Sequence, residues 1–321
     1  MLDTAAAPFT IQPRLTQIAM AIKVAGMIAD SVCPRVRVPG QLFVYTKLTT
    51  EEGFTIPDTK IGRTSRANQV EFGSTDVEAS TEDHGLEDPV PVKDIQLAQA
   101  QGANYDPLAL ATERTTQLME LAREERVANL LFTIGNYSSS LRTTLSGNDQ
   151  WSDYTNSNPV DAILDAMDQM LIRPNTVVMG QAVWTKLRQH PKVVESVKAT
   201  GAGGIAATGV VARSAVAELL EVDEVQVGAT YKNTAKKGQT ADYSFLWGKH
   251  CALLHLNRNI VSARDAMPTF AFTAEWQGRR SGTYTDPSRG IEGSTIVKVV
   301  DQVKELIPFT DAGYFFADAV A

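Results

Sequence analysis

Side chains that titrate, attack or ligate fall into a few groupings in this chain. His250, Cys251 and His255 sit close together, a spacing that invites a zinc site or a cysteine–histidine nucleophile pair. The segment around them reads as a strand, and a period of two sends His250 to one face and both Cys251 and His255 to the other. No further Cys or His lies nearby to complete a zinc tetrahedron, and no third group orients the imidazole of a nucleophilic pair. All four histidines (His84, His190, His250 and His255) are therefore read as structural. The run Gly201-Ala202-Gly203-Gly204-Ile205-Ala206 formally satisfies G-x-G-x-x-A. A dinucleotide site needs a strand before such a run and a helix opening on it. Pro191 to Lys198 reads as a helix instead, which makes the run a flexible loop. Carboxylates are dense between Glu51 and Asp94, but a solvated charge run does not raise a pKa as general acid–base chemistry requires. Lys236-Lys237 beside Gly238 reads as an exposed turn, and a pI of about 5.2 without a basic stripe argues against specific DNA recognition. No catalytic, cofactor or metal site is expected, and the chain is not read as an enzyme.

The elements that would position these residues are organised around one stretch. Asp106 is a good helix N-cap and Pro107 suits the first helical position; from there to Ile134 the chain contains neither Gly nor Pro, until Gly135 and Asn136 offer a stop. Leu118, Leu121 and Ala122, then Val127, Leu130, Leu131 and Ile134, follow helical spacing. The face with Glu120, Arg123, Glu124 and Arg126 is expected to be solvated or to meet another polar surface. No second helix of similar length appears, so this spine is expected to pack along a sheet.

Before it lies an arm with little core of its own, in which Ile18, Ile22 and Met27 suggest a short amphipathic helix. Strands follow from Val36 to Leu48, broken at Pro39-Gly40. Residues 49 to 90 are long, polar and rich in Gly and Pro; Phe54-Thr55-Ile56 and Val70-Glu71-Phe72 suggest a two-stranded ribbon, polar on both faces. Such a ribbon is marginal alone in water, and a neighbouring subunit is the economical support for it. Val90 to Leu97 is read as a strand returning to the body. After the spine, a Ser/Thr/Asn/Gly-rich linker leads into an inserted α/β domain. Its parts are a helix from Asn158, a buried strand Thr176 to Met179, helices Gln181–Gln189, Pro191–Lys198 and Ala212–Leu220, and a strand Val222 to Val227. Ser244 to Leu256, Phe270 to Trp276 and Thr295 to Ile307 are strand-like again.

The 321 residues suffice for a large core, and no apolar run approaches the ~20 residues of a membrane span. The N-terminus lacks a secretory pattern, and Cys33 and Cys251 are expected as buried, reduced thiols. The net charge of −7 resides entirely between Glu51 and Asp94, whereas the first 50 residues carry a basic surplus. A basic arm thus precedes an acidic loop, an asymmetry that lets one copy attract another.

This order of parts resembles the tailed-bacteriophage major capsid protein of the Hong Kong 97 type. The resemblance rests on the ribbon Thr49 to Pro89, the spine Pro107 to Ile134, VVMGQAVWTKLRQHPKVVESVK (Val177 to Lys198), AVAELLEVDEVQVG (Ala215 to Gly228) and GYFFADAVA (Gly313 to Ala321). It implies an α+β fold. Residues 1–40 would be an N-terminal arm, 41–100 a strand and extended E-loop ribbon, and 101–157 the spine and linker of a peripheral domain. Residues 158–260 would be an axial α/β domain, and 261–321 strands returning to the peripheral domain with the C-terminus. It further implies a structural protein that assembles through hexamers and pentamers into an icosahedral shell around double-stranded DNA, contacted non-specifically. Portal and scaffolding proteins, and in some cases a decoration protein, would be partners, and no membrane. The chain would reside in the virion capsid, and in the host cytoplasm before assembly. Lys60, Arg63, Arg66, Glu71, Glu82 and Asp83 are the ribbon residues expected at inter-subunit contacts. Gly201, Gly203 and Gly204 would sit near a five- or six-fold axis. Some members join a ribbon lysine to a neighbour's asparagine; Lys60 is the only lysine in the ribbon proper, and its context does not match. The alternatives are an encapsulin-like nanocompartment shell and a soluble α/β nucleotide-binding enzyme using the Gly201 loop.

Overall fold

Asp106 starts the longest helix as its chemistry dictates: the carboxylate accepts from the Leu108 amide at 2.9 Å, with Pro107 in the first turn. The computed structural model describes residues 9–22, 24–47, 56–69, 75–102, 106–199, 209–236, 238–264 and 268–321. In chain order these give β1 (Thr10–Ile11), α1 (Pro13–Ala21), α2 (Ala29–Val32), β2 (Arg35–Arg37), β3 (Leu42–Lys47), β4 (Thr75–Ser80), β5 (Glu82–Pro91), α3 (Val92–Ala100) and the spine α4 (Pro107–Leu131). The 25-residue spine is about 37 Å long. It stops at Leu131, before the expected Gly135. Asn136 Nδ2 and the Tyr137 hydroxyl donate to the Leu130 and Leu131 carbonyls at 2.7 Å each, satisfying groups that a further turn would have used.

The spine packs along a six-stranded sheet centred on β14 (Ser294–Leu306). One edge of β14 pairs antiparallel with β13 (Arg280–Asp286) and then with β12 (Phe272–Glu275); the other edge pairs with β5 over ten residues, Pro91 opposite Ser294 through Glu82 opposite Val303. β2 adds parallel to β12, and β1 antiparallel to β13. The ribbon expected to run to Pro89 therefore rejoins the body at Glu82. Val92 to Leu97, expected in a strand, is helical: Pro91 precedes it and Asp94 occupies its first turn. β2 and β3, separated at Pro39-Gly40, go to different sheets, β3 pairing with β4. The helix in the N-terminal segment buries Leu15 and Ala19 rather than Ile18 and Ile22.

The second body holds α5 (Pro159–Gln169), α6 (Gln181–Leu187), α7 (Pro191–Ala199) and α8 (Arg213–Leu219). They pack against a five-stranded sheet, in order β6 (Arg142–Thr144), β15 (Gly313–Ala317), β11 (Cys251–Leu254), β7 (Thr176–Gly180) and β8 (Glu224–Gly228). Two of its strands, β6 and β15, come from outside 158–260: the C-terminal strand β15 joins this sheet rather than the one under the spine. Nor is 136–158 a plain linker, since Leu141, Leu145 and Trp151 are buried in the second core. Central strands are buried at every position because both faces are covered. Val177, Met179, Cys251, Leu253, Tyr314 and Phe316 face the helices. Val178, Ala252, Leu254, Phe315 and Ala317 face the end of the spine at Val127, Ala128 and Leu131. A short hairpin of β9 (Tyr231–Asn233) and β10 (Tyr243–Phe245) lies beside the spine.

Candidate assembly interface

The spine's polar face is buried, while Leu118 and Ala122, placed by spacing on its apolar stripe, are exposed. Burial of Glu120, Arg123 and Glu124 is tolerated because each is paired. Arg123 donates to the Cys33 carbonyl and the Thr273 hydroxyl at 3.2 Å each and forms an ion pair with Asp30. Glu124 accepts from the Ile28 and Ala29 amides at 2.8 Å and from Trp247 Nε1 at 2.7 Å. Arg35 bridges Glu275 at 2.8 Å and Asp301 at 3.0 Å; Arg279 reaches Asp301 at 3.2 Å and pairs with Glu120. Burial raises the Glu124 carboxyl above its ordinary range despite its three donors and Arg123. Burial acts the same way on Asp30, but Arg123 and Arg35 outweigh it and hold that carboxyl low. The network clamps the N-terminal segment, the spine and the sheet into one platform. Composition hides it, because these residues are ordinarily solvent-facing. Gly228 is a local signal: a β-carbon there would overlap the Trp247 ring that carries the donor to Glu124.

Of the expected two-stranded ribbon, Phe54-Thr55 and Val70-Glu71-Phe72 lie outside the described residues, and 56–69 forms no strand. Residues 56–69 are exposed throughout, including Lys60, Arg63 and Arg66. Within this segment the Asp58 carboxylate accepts from the Lys60 amide at 2.9 Å, and its carbonyl accepts from Asn68 Nδ2 at 2.6 Å. Glu71 lies outside the described residues, as do Gly201, Gly203 and Gly204. Glu82 and Asp83 have partners in their own chain: Glu82 pairs with Lys304, and Gln302 Nε2 donates to Asp83 at 2.7 Å. Glu87 joins the same ladder through Lys298 at 3.0 Å and the Tyr284 hydroxyl at 3.0 Å. Hydrogen bonds from Lys304 and Lys298 hold the Glu82 and Glu87 carboxyls below their ordinary range. The acidic window is thus split. Its excess of carboxylates lies in β4, β5 and α3, whereas 56–69 sets Lys60, Arg63 and Arg66 against Asp58 alone.

The residues first considered for catalysis are built into the frame. His190 is fully buried; its Nδ1 accepts from the Lys192 amide at 3.3 Å, which puts the proton on Nε2, 3.1 Å from the Ser157 hydroxyl. His250 packs edge-on against Phe132 and accepts from the Asp318 amide at 3.0 Å. His255 lies beyond the end of β11, its Nδ1 3.0 Å from the Arg173 carbonyl. Burial pushes the Cys33 thiol up to about 11 and the Cys251 thiol higher still, the reverse of an activated nucleophile. Among the described residues no cluster of three or more His, Cys, Asp or Glu could hold a metal ion. Lys237 lies outside them.

This architecture is that of known shell proteins. A sequence model described as phage major capsid protein E matches residues 136–268. The major capsid protein of Pseudomonas phage JBD67 is 44% identical, over 98% of this chain and 99% of that one. That of Burkholderia phage BcepMu is 25% identical over 96% of each. A phage-related protein from Bordetella bronchiseptica RB50 superposes with a TM-score of 0.75 at 21% identity, covering 98% of both chains. With its spine clamped along the sheet and this near full-length match, the chain belongs to the phage major capsid proteins and has the Hong Kong 97-type fold.

Proposed function

We propose that this capsid protein closes head-to-tail into hexamers and pentamers, and that these tile an icosahedral shell enclosing double-stranded DNA. The observation that carries the reading is the exposure of every residue from 56 to 69, beside a body braced by ion pairs on Arg35 and the buried Arg123. A polar segment of this length inside a compact domain needs outside support, and a further copy offers it in a head-to-tail ring. In this reading Lys60, Arg63, Arg66 and Glu71 serve contacts between copies. Glu82 and Asp83 stay in the ladder to β14. The Gly201, Gly203 and Gly204 run serves the ring axis, where a backbone free of side chains suits two ring sizes. Portal, scaffolding and decoration proteins are the expected partners, DNA is contacted through its backbone without sequence preference, and subunits gather in the host cytoplasm before assembly.

Size-exclusion chromatography and negative-stain imaging of the purified protein test this directly. Rings or closed shells are expected at micromolar concentration and moderate salt. A stable monomer under those conditions overturns the reading.

A further inference from the structure

The sheet under the spine has outer strands at β5, β2 and β13, the last covered by the two residues of β1. An open strand edge is a template for pairing with another chain, and two of the three carry their own protection. β5 has Pro89 and Pro91, which have no amide to donate, and β2 is three residues long with an arginine at each end. β13 has neither device: between Arg280 and Asp286 it reads Ser-Gly-Thr-Tyr-Thr, without charge or proline. The N-terminal segment protects it instead. Thr10 and Ile11 pair with Thr283 and Gly282, and the Gln12 amide donates to the Ser281 carbonyl at 3.0 Å. The Gln12 carbonyl then turns away to accept from the Thr16 amide and open α1. The Thr16 hydroxyl takes its place, accepting from the Ser281 amide at 3.1 Å and donating to the Ser281 carbonyl at 3.0 Å. The cover wraps round the strand. Lys298 and Val299, consecutive in β14, point to opposite faces; Phe9 lies 5.6 Å under the Lys298 ammonium, whereas Ala19 packs with Val299 and Met119. Gly282 makes the seat, since a β-carbon there would overlap the Thr10 carbonyl and the Phe9 ring. Between residues 9 and 22 the buried apolar side chains are Phe9, Leu15 and Ala19, while Met20 is 62% exposed. A segment anchored by so little apolar area opens at a lower free energy than the body unfolds.

We propose that residues 9–21 are an autoinhibitory clasp that keeps the β13 edge of a free subunit from pairing with β13 of a second copy. The strand is built to pair with itself. In an antiparallel pair centred on Thr283, Arg280 of each copy stands opposite Asp286 of the other, and Tyr284 opposite Gly282. Opposite charges then meet at both ends, and each aromatic ring covers a glycine. Such a contact is isologous: it closes on itself as a dimer and takes subunits away from any head-to-tail ring. The closed clasp occupies the same backbone groups of Ser281 and Thr283 that this dimer would use.

The test opens the clasp and locks it. Gly282→Val evicts Phe9 and Thr10, and Thr16→Val removes both bonds to Ser281 at nearly constant side-chain size. Each should speed tryptic cleavage after Arg14 by ~10-fold or more and raise the dimer fraction in sedimentation at concentrations where the parent is monomeric. Adding Thr283→Cys to Thr16→Val should give a disulfide-linked dimer on a non-reducing gel, because that position lies on the two-fold axis of the pair. Cys33 and Cys251 are buried and do not compete. Conversely, Thr10→Cys with Thr283→Cys, joined across β1 and β13, should hold the protein monomeric and slow the cleavage below that of the parent. Melting curves confirm that each variant is folded, and Thr16→Val decides alone if Gly282→Val does not fold. Unchanged cleavage in the opened variants, faster cleavage without dimers, or dimers that do not link through position 283 overturns the proposal.

Discussion

Single side chains in this protein hold elements together through buried polarity, and the histidines show how that responds to acid. His190 is lowered by burial first and by Lys192; His250 and His84 are lowered mainly by burial. A base with a depressed folded pKa binds its proton more readily when unfolded. Stability is therefore complete above the unfolded value of ~6.5 and is lost as pH falls from there through the folded values. The low Asp30 carboxyl adds loss in the same direction at lower pH, from its ordinary value of 3.8 downward. Glu124 has the opposite sign: its raised carboxyl gains a proton first in the folded protein, which offsets part of the loss above 4.5. Melting temperature should thus fall between pH 7.5 and 5.5. His190→Gln can reproduce both hydrogen bonds of the neutral imidazole. It should stay within ~1 kcal/mol of the parent at pH 7.5 and show a shallower acid slope. Identical slopes would mean that His190 does not contribute.

At the level of elements, β5 belongs to the sheet under the spine, β4 pairs with β3 alone, and residues 56–69 are exposed throughout. Replacing 56–69 with a short Gly/Ser linker should leave the melting transition within ~0.5 kcal/mol of the parent while abolishing particles on a sizing column. Extending the excision through Pro89 removes most of the strand that pairs with one edge of β14, and the soluble fraction should collapse. A folded monomer from the longer excision would contradict the sheet assignment. This division is also where reading the sequence reached its limit. Asp106, Pro107 and the buried run TVVM announced their elements because capping and two-sided burial leave compositional marks, whereas Ser244 to Leu256, read as one strand-like stretch, divides into the end of β10 and the whole of β11. The orientation of the spine left none. Leu118 and Ala122 had the spacing of a core stripe, yet Thr112, Thr116, Glu120, Arg123 and Glu124 took that place. The ion network around the buried Arg123, Arg279 and Asp301 becomes visible only when Asp30, Arg35 and Glu275 join them from distant parts of the chain. Glu82 to Pro91 was similarly opaque: its charged residues suit an exposed loop until Lys298, Gln302 and Lys304 are seen opposite them.

In the whole molecule the two bodies share the end of the spine, and β15 is an interior strand of the second. It lies between β6 and β11, with Phe316 5.4 Å from the Trp151 ring and Phe315 stacked 5.0 Å from Tyr137. Loss of one buried Phe costs ~3–5 kcal/mol, and a domain's total stability is only ~5–15 kcal/mol. Truncation after Ala312 should therefore yield insoluble protein, and a soluble, cooperatively melting product would show that the second core tolerates an open sheet. The long antiparallel pairing of β5 with β14 also sets how the subunit meets mechanical load. Tension entering from the ribbon pulls along β5, so its ladder bonds and its side-chain pairs to Lys298, Gln302 and Lys304 resist together in shear instead of opening one by one like a zipper. A pull on residues 56–69 is then passed through β14 into the whole sheet and the helix lying on it.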